Sequence, residues 1–396
     1  MAERLAIEGG APVRRAMLSY ARQTIDDDDI AAVVAALRGD WLTTGPRVAA
    51  FEKQLASAAG AAHAVGVSSG TAALHAAVFA AGIGPGDEVI TSPMTFVASS
   101  NAILYLRGVP VFADILPDTL QIDPAAIEAR LTPRTCAVLP VDFAGQPCDL
   151  DPIMALARAR SLTVIEDAAH AFGAEYRGRP VGSIADLTAF SFHPAKLLTT
   201  GEGGAVSTSS DELAARLRRF RNHGFETDLH QRLASGGLYS PMVDLGLNYR
   251  LTDVQCALGA AQLGKVSGFL KRRAEIAERY TKDLAGVSGV QIPRVAPDVR
   301  HAWHIFTILL DLDRLAADRG AIVAALRAEN VGATVHYVPA YWHPYYEKLG
   351  YRRGLCPRAE AAFERLVTLP LFPTMTDADT EDVVVAVRKV LGRYRR

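Results

Sequence analysis

The chain has 396 residues, 49% of them hydrophobic and 21% charged, a balance typical of a globular protein and a length that suggests two domains. A net charge of −1 gives no electrostatic case for nucleic acid or an anionic membrane surface. The four cysteines, Cys136, Cys148, Cys256 and Cys356, form no Cys-x-x-Cys pair, so neither a zinc ribbon nor a disulfide framework is expected and no metal is assigned. Residues 1–16 carry charges and Gly9-Gly10-Ala11-Pro12 where a secretory signal would need an apolar stretch, and no run of about 18 apolar residues follows. A cytoplasmic protein is the expectation.

Residues 1–25 read as an N-terminal arm. Thr24-Ile25-Asp26 then starts a helix with Ile30, Val33, Val34 and Leu37 at helical spacing, ended by Gly39-Asp40. Trp41 to Pro46 form a loop, and a second helix over 48–59 stops at Gly60. From there short apolar runs alternate with helical segments. Strands are expected at 63–68, 88–91, 109–113, 136–141, 163–166, 187–192 and 204–208, and helices at 71–81, 97–106 and 152–160. Such alternation predicts an α/β domain, residues 26–255, with a mainly parallel sheet whose sites gather at the carboxyl ends of the strands. After about residue 255 the pattern changes to helices at 253–263 and 269–284, strands at 303–310 and 334–337 and a last helix over 377–391. Residues 256–396 therefore read as a smaller α+β domain.

Gly82-Ile83-Gly84-Pro85-Gly86 has a superficial likeness to a dinucleotide loop, but its glycines follow a helix and precede a strand, the reverse of what pyrophosphate binding needs. They read as a turn. Ser68-Ser69-Gly70-Thr71, in contrast, follows a strand and opens a helix, where free N–H groups and the helix dipole attract phosphate. Simple N-capping by Ser69 or Thr71 is the alternative. Asp167 ends an apolar run and should be buried, which requires a partner such as a protonated ring nitrogen or an arginine. His170 and Phe96 fit either a ring-binding site or an ordinary core. The basic run Arg216, Arg218, Arg219 and Arg221 is a solvated helix face or a local site for a phosphorylated ligand.

Lys196, within Ser191-Phe192-His193-Pro194-Ala195-Lys196, is the only lysine between Lys53 and Lys265. Lysine can form an imine with an aldehyde and arginine cannot, so Lys196 leads the candidates for a covalent link to an aldehyde cofactor. Phosphate loop, aromatic, acid and lysine, in that order, compose a site for pyridoxal 5'-phosphate.

These motifs, with Gly201-Glu202-Gly203-Gly204 and Gly246-Leu247-Asn248-Tyr249-Arg250-Leu251, make the chain similar to the nucleotide-sugar aminotransferases of the DegT/DnrJ/EryC/StrS family, from about Tyr20 to the C-terminal helix. The resemblance implies fold type I with pyridoxal phosphate on Lys196, Asp167 against the ring nitrogen, and Ser69, Gly70, Thr71 and Ser191 around the phosphate. In such a site Phe96 would stack on the ring and His170, counted with Lys196 and Asp167 as catalytic, would touch the cofactor's phenolic oxygen. It also implies a homodimer with Asn248 reaching the partner's phosphate group, and L-glutamate as amine donor. Within the family, Leu18-Ser19-Tyr20, Leu42-Thr43-Thr44-Gly45 and Val335-His336-Tyr337-Val338-Pro339 resemble the branch that aminates C4 of a UDP-linked 4-keto-6-deoxy-N-acetylhexosamine for pseudaminic acid. By that resemblance Tyr20, Leu42, Thr43, Thr44, Gly45, His336, Tyr337, Val338 and Pro339 line the sugar-nucleotide pocket. The family also contains dehydratases that carry histidine in place of the lysine; the lysine here favours transamination.

Overall fold

The computed structural model describes residues 4–227, 236 and 239–396, so the first three residues of the expected arm lie outside the described residues. The central sheet is built from β1 (His63–Val67), β2 (Glu88–Thr91), β3 (Val109–Phe112), β4 (Thr135–Leu139) and β5 (Thr163–Asp167). Two short strands follow, β6 (Glu175–Tyr176) and β7 (Arg179–Pro180), and then β8 (Leu187–Ser191) and β9 (Gly204–Thr208) rejoin the central sheet. Its order is β1-β9-β8-β5-β4-β2-β3. Every neighbouring pair from β8 to β3 is parallel, and β9 runs antiparallel to both β1 and β8. The mainly parallel α/β expectation therefore holds, with one reversed strand. The connection from Ser191 to Gly204 forms turns and no helix, and β9 returns antiparallel beside β8.

The helices that frame the site are α1 (Asp27–Leu37), α2 (Pro46–Ala59), α3 (Gly70–Ala80) and α4 (Ala98–Tyr105). α1 starts where Asp26 accepts N–H bonds from Asp28 and Asp29 while Asp29 bonds back to the Asp26 N–H, a reciprocal cap. α3 is apolar almost all round, and Ala72, Ala73, Ala76, Ala77 and Val78 are buried against the sheet. Strands buried on both faces, such as Val138-Leu139 and Val164-Ile165, explain the continuous apolar runs in the sequence.

Beyond residue 284 a second sheet joins β10 (Val290–Gln291), β12 (Phe306–Leu310) and β13 (Leu366–Leu369); β11 (Val299–Arg300) pairs with β6 instead. Phe306, Ile308 and Val367 share a core with Ile276, Tyr280, Val383 and Val387 of the long helices Val266–Leu284 and Asp377–Tyr394. Leu5 and Leu18 of the arm enter the same core, and buried Glu329 accepts the Ala6 and Val13 N–H groups at 2.8 and 2.9 Å. The arm is thus fixed to the C-terminal unit. Helix Asp253–Leu263, which spans the expected boundary at 255, packs on α1 and α2.

The expected strand at 334–337 does not form. Thr334 makes one bridge to Thr368, and then the His336 and Tyr337 side chains take partners elsewhere while Pro339 can donate no ladder bond. Helices Arg319–Ala328 and Pro357–Arg365 and strand β13 were not expected. No described helix is long and apolar enough to cross a membrane.

Candidate active site

The end of β5 places Asp167, 5% exposed, at the centre of the sheet's carboxyl edge. Its Oδ2 accepts from the Ser99 hydroxyl at 2.6 Å and its Oδ1 from the Ala169 N–H at 3.1 Å. The Ser99 hydroxyl is itself 2.6 Å from the Thr95 hydroxyl, next to Phe96. Burial pushes the Asp167 carboxyl above its usual range, while Ser99, Ala169 and Lys196 pull it back.

Lys196 lies on the turn after Pro194, its N–H bonded to the His193 carbonyl at 2.8 Å. Desolvation lowers its amine to about 8, against the opposing pull of Asp167. The environment thus disfavours both a bare carboxylate at Asp167 and a free ammonium at Lys196. A group that brings a cationic ring nitrogen to Asp167 and condenses with a neutral amine at Lys196 relieves both costs. Pyridoxal phosphate has those two features.

A third feature fits its phosphate. Ser69 caps α3, its Oγ accepting from the Ala72 N–H at 3.0 Å, so the N-terminus of α3 faces Ser191 at the end of β8. A Cβ on Gly70 would lie 2.7 Å from the Ser191 Cβ and 2.8 Å from its Oγ, so only glycine permits this approach. Gly204 does the same for β9, where a Cβ would sit 2.5 Å from the Ser69 carbonyl oxygen. N-capping and an anion cradle, alternatives in the sequence, coexist here. Capping occupies the Ser69 oxygen, while the Thr71 and Ser191 hydroxyls are not hydrogen-bonded to any other described residue.

The structure draws several distant candidates together. Tyr337 Oη is 3.2 Å from His170 Nε2, the Phe96 and Tyr337 ring centroids are 6.0 Å apart, and those of Tyr20 and His336 are 5.2 Å apart. Phe96 is 58% exposed, which is open surface rather than the ordinary core position that was the alternative. His170 is held neutral, chiefly by burial and then by Lys196 and His336. His336 is lowered to about 4 by burial and bonds Thr368 Oγ1 at 3.0 Å through Nδ1. Val338 is exposed and Pro339 buried on the same segment.

Two residues near this cluster escaped the sequence reading. Ser99 lies a helical turn beyond Thr95, but nothing local marks it as the partner of Asp167. The His304 ring, 4% exposed, lies tilted with its centroid 4.3 Å from that of His170, a contact only tertiary structure creates.

The remaining candidates collect elsewhere. Thr43 bridges Thr252, and the Gly45 N–H donates to Asp253 Oδ2 at 2.6 Å. Thr43, Thr44 and Gly45 line a cavity of about 1030 Å³ with Glu52, Arg221 and Arg250, and neither Asp167 nor Lys196 borders it. Leu42 is 53% exposed. Asn248 is exposed and bridges Asn222, another residue of that cavity. The arginine run proves partly structural: Arg221 pairs with Glu52 and the Gly66 carbonyl, Arg219 with Asp244, and Arg216 with the Phe79 carbonyl.

Comparison with known proteins agrees with this geometry. Residues 23–388 match the model of the DegT/DnrJ/EryC1/StrS aminotransferase family. The spore coat polysaccharide biosynthesis protein SpsC of Bacillus subtilis is 44% identical over 381 residues, 96% of this chain and 98% of SpsC. Helicobacter pylori PseC, an aminotransferase of pseudaminic acid biosynthesis, superposes with a TM-score of 0.89 at 29% identity, covering 96% of this chain and 100% of PseC. DesV of S. venezuelae, solved with a ketimine intermediate, gives a TM-score of 0.84 at 36% identity over 91% of this chain and 93% of DesV. The chain belongs to the DegT/DnrJ/EryC1/StrS family and is a fold type I, pyridoxal-phosphate-dependent sugar aminotransferase.

Proposed function

We propose that this enzyme moves an amino group from L-glutamate to C4 of a nucleotide-linked 4-keto-6-deoxy sugar, with UDP-2-acetamido-2,6-dideoxy-β-L-arabino-hex-4-ulose as the leading substrate. The observation that carries the reaction is the convergence of a desolvated Lys196 amine and a buried Asp167 carboxyl beside the α3 phosphate cradle. Likeness to PseC over nearly the whole chain supports the sugar.

When bound, the cofactor's pyridine ring serves as an electron sink for the substrate carbon. Asp167, oriented by Ser99 and the Ala169 N–H, keeps the ring nitrogen protonated. Lys196 would hold the cofactor and, once freed, would move the proton at the substrate carbon; an amine near 8 can accept and return a proton at neutral pH. His170, neutral and bonded to Tyr337, and the exposed Phe96 would flank the cofactor. Tyr20, His336, Tyr337, Val338 and Pro339 form the sugar side of the pocket. Ser191, Thr71 and the α3 N-terminus hold the phosphate.

Leu42, Thr43, Thr44, Gly45 and Asn248 fit this scheme as residues lent to a partner's site in a homodimer, because Thr43, Thr44 and Gly45 line a cavity that their own Lys196 does not border and Leu42 and Asn248 are exposed beside it. Residues 1–25, 26–255 and 256–396 then serve as arm, cofactor domain and small domain, with the cytoplasm as the setting. The 44% identity to SpsC favours a second reading, another nucleotide or keto-sugar for a surface polysaccharide. Mass spectrometry of products from UDP-, dTDP- and GDP-linked 4-keto sugars with nitrogen-15 glutamate separates the two. Label in the UDP-N-acetyl product alone supports the leading substrate; label only in another sugar replaces it; no label in any product ends the proposal.

A further inference from the structure

Directly behind Asp167 lie two more carboxyls that the mechanism above does not use. Side chains alternate along β5, so Glu166 faces the side of the sheet opposite Asp167. The turn after β4 brings Asp142 to it: the Asp142 N–H donates to the Asp167 carbonyl at 3.1 Å, and the Asp167 N–H to the Pro140 carbonyl at 2.9 Å. Both Asp142 and Glu166 are 0% exposed.

Each has one oxygen held by an ordinary donor. Asp142 Oδ1 accepts from the Cys148 N–H at 2.9 Å, and Glu166 Oε2 from Thr188 Oγ1 at 2.8 Å. The other two oxygens, Asp142 Oδ2 and Glu166 Oε1, are buried with no hydrogen-bond partner among the described residues, and each carboxyl lies close enough to act on the other's protonation. No described arginine, lysine or histidine pairs with either. The remaining titratable neighbours are the Cys148 thiol and Asp167, and the Gly182 N–H also faces Glu166. Two carboxylates cannot share a dry site without a cation or a proton, since each would repel the other at low dielectric. A proton retained on Asp142 and donated to Glu166 gives both orphan oxygens a partner. Burial pushes Asp142 well up and Glu166 to about 7, in keeping with that arrangement.

We propose that Asp142 and Glu166 share a proton behind Asp167 and act as positioning residues, so that the three carboxyls never carry three charges and Asp167 is left to face the cofactor's ring nitrogen. This rests on Asp167 as the ring partner. If the shared proton is lost, like charges repel across the ends of β4 and β5, where the Asp142 N–H holds the Asp167 backbone.

Infrared spectroscopy of the whole protein at neutral pH tests the proton itself, whatever the role of Asp167. The expected result is a protonated-carboxyl carbonyl band that shifts on deuterium exchange and disappears in both Asp142→Asn and Glu166→Gln. Absence of the band in the unaltered protein, or its survival in both variants, overturns the proposal. Cofactor affinity, read by absorbance titration, tests the positioning. Asp142→Asn, which keeps an N–H donor toward Glu166, should bind pyridoxal phosphate within about twofold of the unaltered protein, and Asp142→Ala about tenfold more weakly. Equal loss in both variants overturns the positioning role, and if Asp142→Ala does not fold, a tenfold loss in Asp142→Asn overturns it alone. Failure of Asp167→Asn to impair turnover with the infrared band intact would refute Asp167 as the ring partner, not the shared proton.

Discussion

The floor and the rim of this site are built on different principles. The floor, Asp167, Ser191 and Gly70, hangs from adjacent ends of β5, β8 and α3, with Lys196 on the short turn that follows β8, and strand pairing and helix capping place most of its polar atoms. The rim, Leu42 to Gly45 and Asn248, lies on irregular chain tied to residues 222, 252 and 253, beside another cavity. Regular elements fix the atoms that do chemistry, and loops carry the surface that selects substrates and partners. Substitutions in the floor should therefore abolish reaction or cofactor binding, and substitutions in the rim should only weaken recognition.

The largest effects belong at Lys196 and Asp167. On the proposed mechanism Lys196→Ala removes the amine that would link the cofactor and move the proton, so single-turnover rates should fall on the order of 10⁴-fold. Borohydride should then fix no cofactor to the chain; continued fixation would show another residue to be the anchor. Asp167→Asn keeps the shape and the Ser99 contact but removes the charge opposite the ring nitrogen, for an expected loss on the order of 10²–10³-fold with an unchanged melting temperature. Turnover intact in that variant would remove Asp167 from the mechanism.

Gly70→Ala is the next sharpest probe. The new methyl would have to displace Ser191 at the joint between α3 and β8, with an expected cost of about 1–3 kcal/mol in denaturant titration and weaker phosphate binding. Ser191→Gly in the same chain should recover most of the stability without recovering affinity for pyridoxal phosphate. If stability does not return, the methyl meets something other than Ser191.

How much of this was open to sequence reading follows the same division. Asp167, Lys196 and the Ser69-Gly70-Thr71 loop sit at the ends of apolar runs, where local pattern and chemistry coincide, and every strand of the central sheet was legible. Ser99 and His304 were not, because their meaning lies in contacts with Asp167 and His170 across 68 and 134 residues. The stretch 334–337 failed for the opposite reason. Its β-branched Thr334 and Val335 imitate a strand, but the site recruits His336 and Tyr337, and function overrides local propensity. The antiparallel course of β9 is not written in hydrophobic periodicity, which carries no strand direction.

A smaller effect is expected from pH. Lys196 is lowered by burial to about 8, so the amine is mostly ammonium below that value and mostly free above it. The rate at which cofactor-free protein captures pyridoxal phosphate should rise about tenfold between about pH 7 and about pH 9 and then level off. A rate still climbing steadily toward pH 10 would mean that the amine is not desolvated.

Asn248 gives the smallest effect in a single chain and the most informative in a mixture. On the proposed dimer its removal would delete one hydrogen bond to the partner's phosphate and should weaken cofactor retention about fivefold, with no change in stability because the residue is exposed in the single chain. In a homodimer that lends Asn248 across the interface, the loss falls on the neighbour's site. Mixing Lys196→Ala with Asn248→Ala subunits should then place both defects in one site and leave the other site intact, so the mixture regains activity that neither variant has at limiting cofactor. Activity that merely averages the two parents would return Asn248 to its own subunit, and the exposed rim would then need another explanation.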